Sequence, residues 1–307
     1  MPVRVGLSAY NIDAADLVDL AVAADQLGFE SLWLGEHIVL PLDYASEHPT
    51  SGGTAHLHHT GPIVDPATIL VDPLVTLAAA AAVTRDIRLA TGIYILPLRP
   101  PLVTARMTCT LEAVAQGRFM LGVGSGWLEE EFGAIGVPFA ERGARFDETI
   151  DILRLAWSGA PFRYEGTHFR NDLVQISAAP VRVPLILGGN TERALRRAAT
   201  RADGWFASGT PAFEDAARWR DRIFQLRDEA GLTSDFPVYV RVAKPDPDDL
   251  ARYADGGFDR LLVWADQVWS GRDLSQRQAG LADAARLLGV EPRPAQPPAK
   301  EEAGRGA

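Results

Sequence analysis

The sequence predicts an α/β protein, a (β/α)8 barrel, and three observations carry that reading. Short β-branched runs alternate with helical patterns, an order that implies βα units and a parallel sheet. Eight such runs occur between Val3 and Ala265. The chain has 307 residues, 47% of them hydrophobic, which suits a barrel whose core needs no disulfide or metal to hold it.

Each element follows from local signals. The first strand runs from Val3 to Ala9. Asp13 opens a helix with a period of about 3.6 residues, in which Leu17, Leu20, Ala21, Ala24 and Leu27 share a face and Gly28 closes the end. SLWLGEH (31–37) is the second strand and its exit. Residues 38–71 form a long connection rich in Pro, Gly, His and Asp, and a loop of that length in a compact domain is usually functional or disordered. Asp72-Pro73 reads as an N-cap followed by proline at the first helical position, opening a helix through Val83. IRLATGIYI (87–95) is the third strand, and Pro97, Pro100 and Pro101 bound the loop after it. A helix from about Leu102 ends at Gln116-Gly117. RFMLGVGSG (118–126) is the fourth strand, with a glycine-rich exit.

Residues 127–183 exceed what one barrel unit needs, so they form an insertion after the fourth strand, with a helix over 142–157 and a hairpin around 164–176. VPLILGG (183–189) is the fifth strand, followed by a helix over 191–200. DGWFASG (203–209), FPVYVRVA (236–243) and FDRLLVWA (258–265) are the last three strands, and a final helix covers 276–288. The Pro-rich, charged segment 291–307 reads as a disordered tail, which leaves 1–290 as a single barrel domain.

Composition narrows the function. The net charge is −10 and the basic residues are scattered, which argues against a nucleic-acid surface. The run LVTLAAAAAV is too short and too rich in alanine to span a bilayer. The N-terminus enters a strand directly, with no signal peptide visible. The expectation is a soluble, cytoplasmic protein acting on a small molecule, with no nucleic-acid or membrane partner. Cys109 is the single cysteine, so no intramolecular disulfide forms, and it reads as a buried helical thiol rather than a nucleophile.

In a barrel, functional residues sit at the C-terminal ends of the strands. Here those ends read Ser8-Ala9-Tyr10, Gly35-Glu36-His37, Thr91-Gly92-Ile93, Gly124-Ser125-Gly126-Trp127, Gly188-Gly189-Asn190, Ala207-Ser208-Gly209 and Trp264-Ala265-Asp266, the profile of a ligand rim. Gly188-Gly189-Asn190-Thr191 lies between a strand and a helix. It is either a phosphate cradle, where bare N–H groups and the helix N-terminus meet an anion, or a tight turn with Asn190 or Thr191 as N-cap. The alternating glycines of GVGSG (122–126) open one face of a strand end, either to a flat ring or to close helix packing. Glu36-His37 is either a hydrogen-bonding and proton-carrying pair at a ring system or a satisfied pair at a loop entrance. His56, His58 and His59 lack a cysteine or second ligand group at a standard spacing, so no metal site is expected. The arginines 193, 196, 197 and 201 read as solvated or paired, with one able to reach a phosphate.

With those residues in view, the chain resembles the luciferase-like monooxygenase superfamily, in its actinobacterial branch of coenzyme F420 (deazaflavin) oxidoreductases. The matching stretches are LGFESLWLGEHIVLP, IRLATGIYILPLRPP, GRFMLGVGSGWLEEEF and VPLILGGNTERALRRAATRADGW, in order across residues 27–205. The resemblance implies a bacterial-luciferase-like barrel, and barrels of this superfamily commonly form homodimers. It implies a coenzyme ring over the strand ends near Glu36, His37, Thr91, Gly92, Ile93 and the Gly124-Ser125-Gly126-Trp127 turn. It also implies a non-prolyl cis bond, here Gly92–Ile93, and coenzyme phosphate at Gly188, Gly189 and Asn190. His37 or Tyr10 would donate the proton. Segments 38–71 and 127–183 would be lids.

The sequence departs from the sugar-phosphate dehydrogenases of that family, which carry glutamates where Tyr10 and Trp127 stand, so a sugar phosphate is not the expected substrate. The leading expectation is hydride transfer between F420 and a small organic substrate. FMN with oxygen activation by a monooxygenase is the alternative, and a catalytically silent flavin-binding barrel is the reading outside enzymology.

Overall fold

The computed structural model describes residues 3–48 and 65–292. Eight strands make a parallel barrel: β1 (Arg4–Ala9), β2 (Ser31–Leu34), β3 (Arg88–Thr91), β5 (Phe119–Gly124), β8 (Leu185–Gly188), β9 (Gly204–Phe206), β10 (Val238–Arg241) and β11 (Arg260–Trp264). They pair in the order β3-β2-β1-β11-β10-β9-β8-β5, and β3 pairs with β5 to close the ring. The expected third strand is interrupted: β3 stops at Thr91, and a short β4 (Tyr94–Ile95) resumes pairing with β5 after two residues out of register. β6 (Phe162–Glu165) and β7 (Arg170–Val174) form the expected antiparallel hairpin in the insertion.

The helices are α1 (Ala14–Leu27), α2 (Pro73–Val83), α3 (Pro101–Ala115), α4 (Glu129–Ile135), α5 (Arg142–Trp157), α6 (Glu192–Arg201), α7 (Phe213–Glu229), α8 (Pro247–Asp255), α9 (Ala265–Val268) and α10 (Leu274–Leu287). Their ends follow the sequence signals. Asp13 and Asp72 cap α1 and α2 through their side chains, and Gly28 ends α1 in the left-handed region with φ 91°. α4 was not legible as a helix; its apolar face is one turn long, too short for a periodic pattern. Cys109 is buried on α3, as expected. Among the described residues no helix is long and apolar enough to cross a membrane. His56, His58 and His59 and nearly all of the expected tail lie outside the described residues.

Strand alternation divides the core in two. On β2, Leu32 and Leu34 face the helical ring while Trp33 faces inward; on β10, Val238 and Val240 face out while Tyr239 and Arg241 face in. Trp33, Ala90, Met120, Ile186, Phe206, Tyr239 and Leu262 fill the barrel, with Trp33 stacked on Phe206 at 4.9 Å between centroids. The barrel is therefore plugged below, and the ligand space lies above, at the C-terminal ends of the strands.

Candidate functional site

A cavity of about 1060 Å³ opens at that end of the barrel. Tyr10, Glu36 and His37, the Gly92–Ile93 pair, the turn Gly124-Ser125-Gly126-Trp127 and the turn Gly188-Gly189-Asn190 all line it. Thr91 does not: it is fully buried, and its hydroxyl donates to the Gly122 carbonyl at 2.6 Å, tying two strands together.

The interruption in the third strand shapes the floor. The Gly92–Ile93 peptide bond is cis, as the resemblance implied. The Gly92 amide donates to the Leu34 carbonyl at 2.7 Å, and its own carbonyl accepts from Arg241 at 3.0 Å. The alternating glycines gain a reason that neither sequence reading supplied. A Cβ on Gly122 would collide with the Thr91 carbonyl, and one on Gly124 or Gly188 would run into the Ile93 side chain. The glycines make room for the displaced strand, and Ile93 then forms an apolar shelf at the cavity.

The Glu36-His37 pair separates into two roles. The Glu36 carboxylate is held by both terminal nitrogens of Arg99, at 2.8 and 2.6 Å, and by the Ile95 amide at 2.6 Å. Burial pushes the Glu36 carboxyl up, against the opposing pull of Arg99 and the amide. Glu36 is thus the satisfied structural member that fixes the segment after the cis bond. His37 is free of that network: its Nδ1 meets Glu131 Oε2 at 2.9 Å, which leaves Nε2 as the ring nitrogen available to the cavity. Glu131 is wholly buried and also accepts from the Ile38 amide. It lies in the first turn of α4, so sequence reasoning missed it, although three consecutive glutamates after Trp127 were a visible signal.

Trp127 stands edge-on to His37, Tyr44 and His48, at 5.9, 6.1 and 4.9 Å. The Tyr10 hydroxyl is buried without a hydrogen-bond partner among the described residues, and burial, reinforced by the charge of Glu131, raises its pKa. The neighbouring Glu130 pins the start of the long loop, accepting from the Ala45 amide at 2.7 Å and the Ser46 hydroxyl at 2.7 Å.

The glycine turn meets the basic helix. Thr191 caps α6 through its side chain, Gly189 has φ 115°, and Asn190 clamps both backbone groups of Ser208 at 2.9 Å. Arg197 and Arg201 are paired with Asp147, and Arg196 with Glu192. Arg193 alone of the four has no hydrogen-bonded or ion-paired partner among the described residues, and it lines the cavity. Burial and the charge of Arg193 together lower the pKa of Arg142, at the start of α5. Two neighbouring cations thus line the same cavity as the glycine turn, an arrangement suited to a phosphate.

Arg241 was not singled out by sequence reasoning. It occupies the inward position at the end of β10, only 7% exposed, between the rings of Phe206 and Trp264, each 4.5 Å from its guanidinium carbon. It donates to Ser8 Oγ at 2.9 Å, the Gly209 carbonyl at 3.2 Å and the Gly92 carbonyl at 3.0 Å. The available signal was an arginine two residues after an inward tyrosine, at a strand end. Among the described residues no cluster of His, Cys, Asp and Glu suits a metal ion.

Comparison with known proteins agrees with this architecture. The model of the family described as luciferase-like monooxygenase matches residues 1–287. An uncharacterized protein of Mycobacterium tuberculosis (strain ATCC 25618 / H37Rv) is 35% identical over 225 residues, covering 73% of this chain and 75% of the relative. An F420-dependent glucose-6-phosphate dehydrogenase of Nakamurella multipartita is 30% identical over 217 residues, 69% of this chain and 58% of that enzyme. Among solved structures, an F420-dependent secondary alcohol dehydrogenase bound to an F420-acetone adduct superposes with a TM-score of 0.71 at 16% identity, covering 94% of this chain and 99% of that one. The oxygenating constituent of 3,6-diketocamphane monooxygenase from Pseudomonas putida, in complex with FMN, does so with a TM-score of 0.58 at 22% identity, over 82% of this chain and 70% of that one. A match across nearly the whole chain, on a closed barrel with its cavity at the C-terminal strand ends, means that the chain belongs to the luciferase-like monooxygenase family of oxidoreductases and monooxygenases.

Proposed function

We propose that this protein is a coenzyme F420-dependent oxidoreductase that transfers a hydride between the deazaflavin and a small organic molecule. One observation carries the reading: a single cavity is lined by an apolar shelf at Ile93, by the Gly188-Gly189-Asn190 turn and by the cations Arg142 and Arg193. A coenzyme that joins a flat ring to a phosphate needs both. The buried Tyr10 hydroxyl, without a partner among the described residues, adds a polar group in want of a ligand.

In that arrangement Ile93 and Gly92 would hold the ring, and the glycine turn, Arg142 and Arg193 would hold the phosphate. The bound deazaflavin would supply the hydride chemistry; the protein supplies orientation, electrostatics and water exclusion. Glu131 fixes the His37 ring through Nδ1, so that Nε2 holds or delivers the proton that accompanies hydride transfer. Tyr10 keeps its proton through neutral pH and serves as a hydrogen-bond donor rather than an acid. Segment 38–48, fastened by Glu130 and Glu131, shields the mouth.

The GEHIVLP and LPLRPP segments and the 30% identity to an enzyme named for F420 favour deazaflavin over FMN. Sugar phosphates are not favoured, because Tyr10 and Trp127 stand where the resemblance places glutamates.

The test is separate titration of the purified protein with F420 and with FMN, read by tryptophan fluorescence. Tight binding of F420 with hydride transfer and no oxygen consumption is expected. Preference for FMN with oxygen uptake would replace the reading with a monooxygenase, and coenzyme binding without turnover would leave a silent barrel. Binding of neither below ~100 μM, about −5.5 kcal/mol, would end the coenzyme assignment.

A further inference from the structure

Arg241 poses a question that the hydride reading leaves unanswered. Its side chain is buried at the cavity floor, and its partners Ser8 Oγ, the Gly209 carbonyl and the Gly92 carbonyl are all neutral. No carboxylate pairs with it among the described residues, and burial alone pulls its pKa down to about 9, so it is still a cation at neutral pH. A buried charge is ordinarily paired, because removing an ion from water is expensive. A guanidinium has five N–H donors, and three are used here, which leaves two on a side chain that faces the cavity.

The surroundings favour a planar anion. Phe206 and Trp264 stack on the guanidinium and hold its plane, which leaves its in-plane edge for a ligand. Ser8 Oγ accepts from Nε and anchors the guanidinium from β1. One spare N–H on each terminal nitrogen is a donor set that a carboxylate accepts.

We propose that Arg241 is the receptor for a carboxylate on the substrate, so that the small organic molecule taken by this cavity is an organic acid bound as its anion. The proposal rests on the reading of the cavity as an oxidoreductase site. Arg241 holds the Gly92 carbonyl, so a carboxylate on the guanidinium sits beside the shelf assigned to the ring. The three neutral hydrogen bonds already made use three of the five donors and leave the charge itself unpaired among the described residues.

The test uses the full chain with acetate as the probe, and acetamide and chloride as controls at matched ionic strength. Thermal melting and tryptophan fluorescence are read with and without coenzyme. Acetate is expected to raise the melting temperature of the wild-type protein saturably, whereas acetamide and chloride do not. Arg241→Gln should weaken acetate at least about tenfold, roughly 1.4 kcal/mol, and weaken the coenzyme by less than that. Arg241→Lys, which keeps the charge and loses the fork, should fall between.

Acetate acting no better than acetamide on the wild type would overturn the proposal, and that arm needs no variant to fold. Equal acetate binding by a folded Arg241→Gln protein would overturn it as well. Loss of coenzyme binding in Arg241→Gln, parallel to the loss of acetate, would assign the residue to the ring and overturn the substrate role. The two readings fail separately: coenzyme binding without acetate binding sinks only the receptor, and Arg241-dependent acetate binding without coenzyme binding sinks only the oxidoreductase.

Discussion

A single hydrogen bond decides what His37 can do. With Nδ1 committed to the buried Glu131, the tautomer and the ring angle are set from behind, and the other nitrogen is left for chemistry. Trp127 limits the ring from one edge. Replacing Glu131 with Gln keeps the shape but replaces the carboxylate that orients the His37 ring through Nδ1. The expected result is a fall in kcat of about 10²-fold with KM and coenzyme affinity retained, measured by steady-state hydride transfer; a matching rise in KM would show instead that Glu131 only shapes the pocket. Glu36, one residue earlier, illustrates the limit of adjacency in sequence. Its carboxylate turns to Arg99 and the strand backbone, so two neighbours that read as one pair serve different ends.

At the scale of elements, α4 fastens the loop to the insertion. Its first turn carries Glu129, Glu130 and Glu131, and two of these carboxylates accept backbone amides from the 38–46 segment. The hydrogen bond from Ser46, then those from backbone amides, hold the Glu130 carboxyl down to about 2, from an ordinary 4.5. The sign follows directly. A carboxylate whose pKa is depressed in the docked state stabilises docking in full above pH 4.5, and that contribution is lost as the pH falls from there through about 2. Hydrogen exchange at the Ala45 and Ser46 amides should therefore accelerate, relative to the intrinsic rate, across that range. In Glu130→Ala the same amides should exchange fast already at neutral pH; protection unchanged in that variant would mean the loop is held by something else.

For the whole molecule, the barrel interior sets how deep a ligand can reach. Trp33, Phe206 and Tyr239 pack together beneath the cavity, and Trp33 is fully buried with its indole N–H donating to Ser31 Oγ at 2.9 Å. Above them the inward positions become Ser8, Gly122, Gly124, Gly188 and Arg241, small residues and one cation, and the space opens. Trp33→Ala would remove the centre of the plug and cost about 3–5 kcal/mol, seen as a lower midpoint in denaturant unfolding. A loss under about 1 kcal/mol would mean that the neighbours collapse into the gap, against the close packing expected of such a core.

The order of the eight barrel strands, the insertion, and the strand ends that form the rim were legible in the chain. They depend on local periodicity and on turn residues, which act within a few positions of one another. Tyr10, His37, Ile93, Trp127 and the Gly188-Gly189-Asn190 turn were legible as rim residues for the same reason, since strand polarity alone says which end faces the ligand. Which partner each of them has was not. Glu131 reaches His37 across 94 positions, and Arg241 reaches Gly92 across 149 and Ser8 across 233. No local pattern encodes such contacts. They exist only because closing the barrel brings β1, the interrupted third strand, α4 and β10 around one space, and there burial makes a single charge count for more than it would on the chain alone.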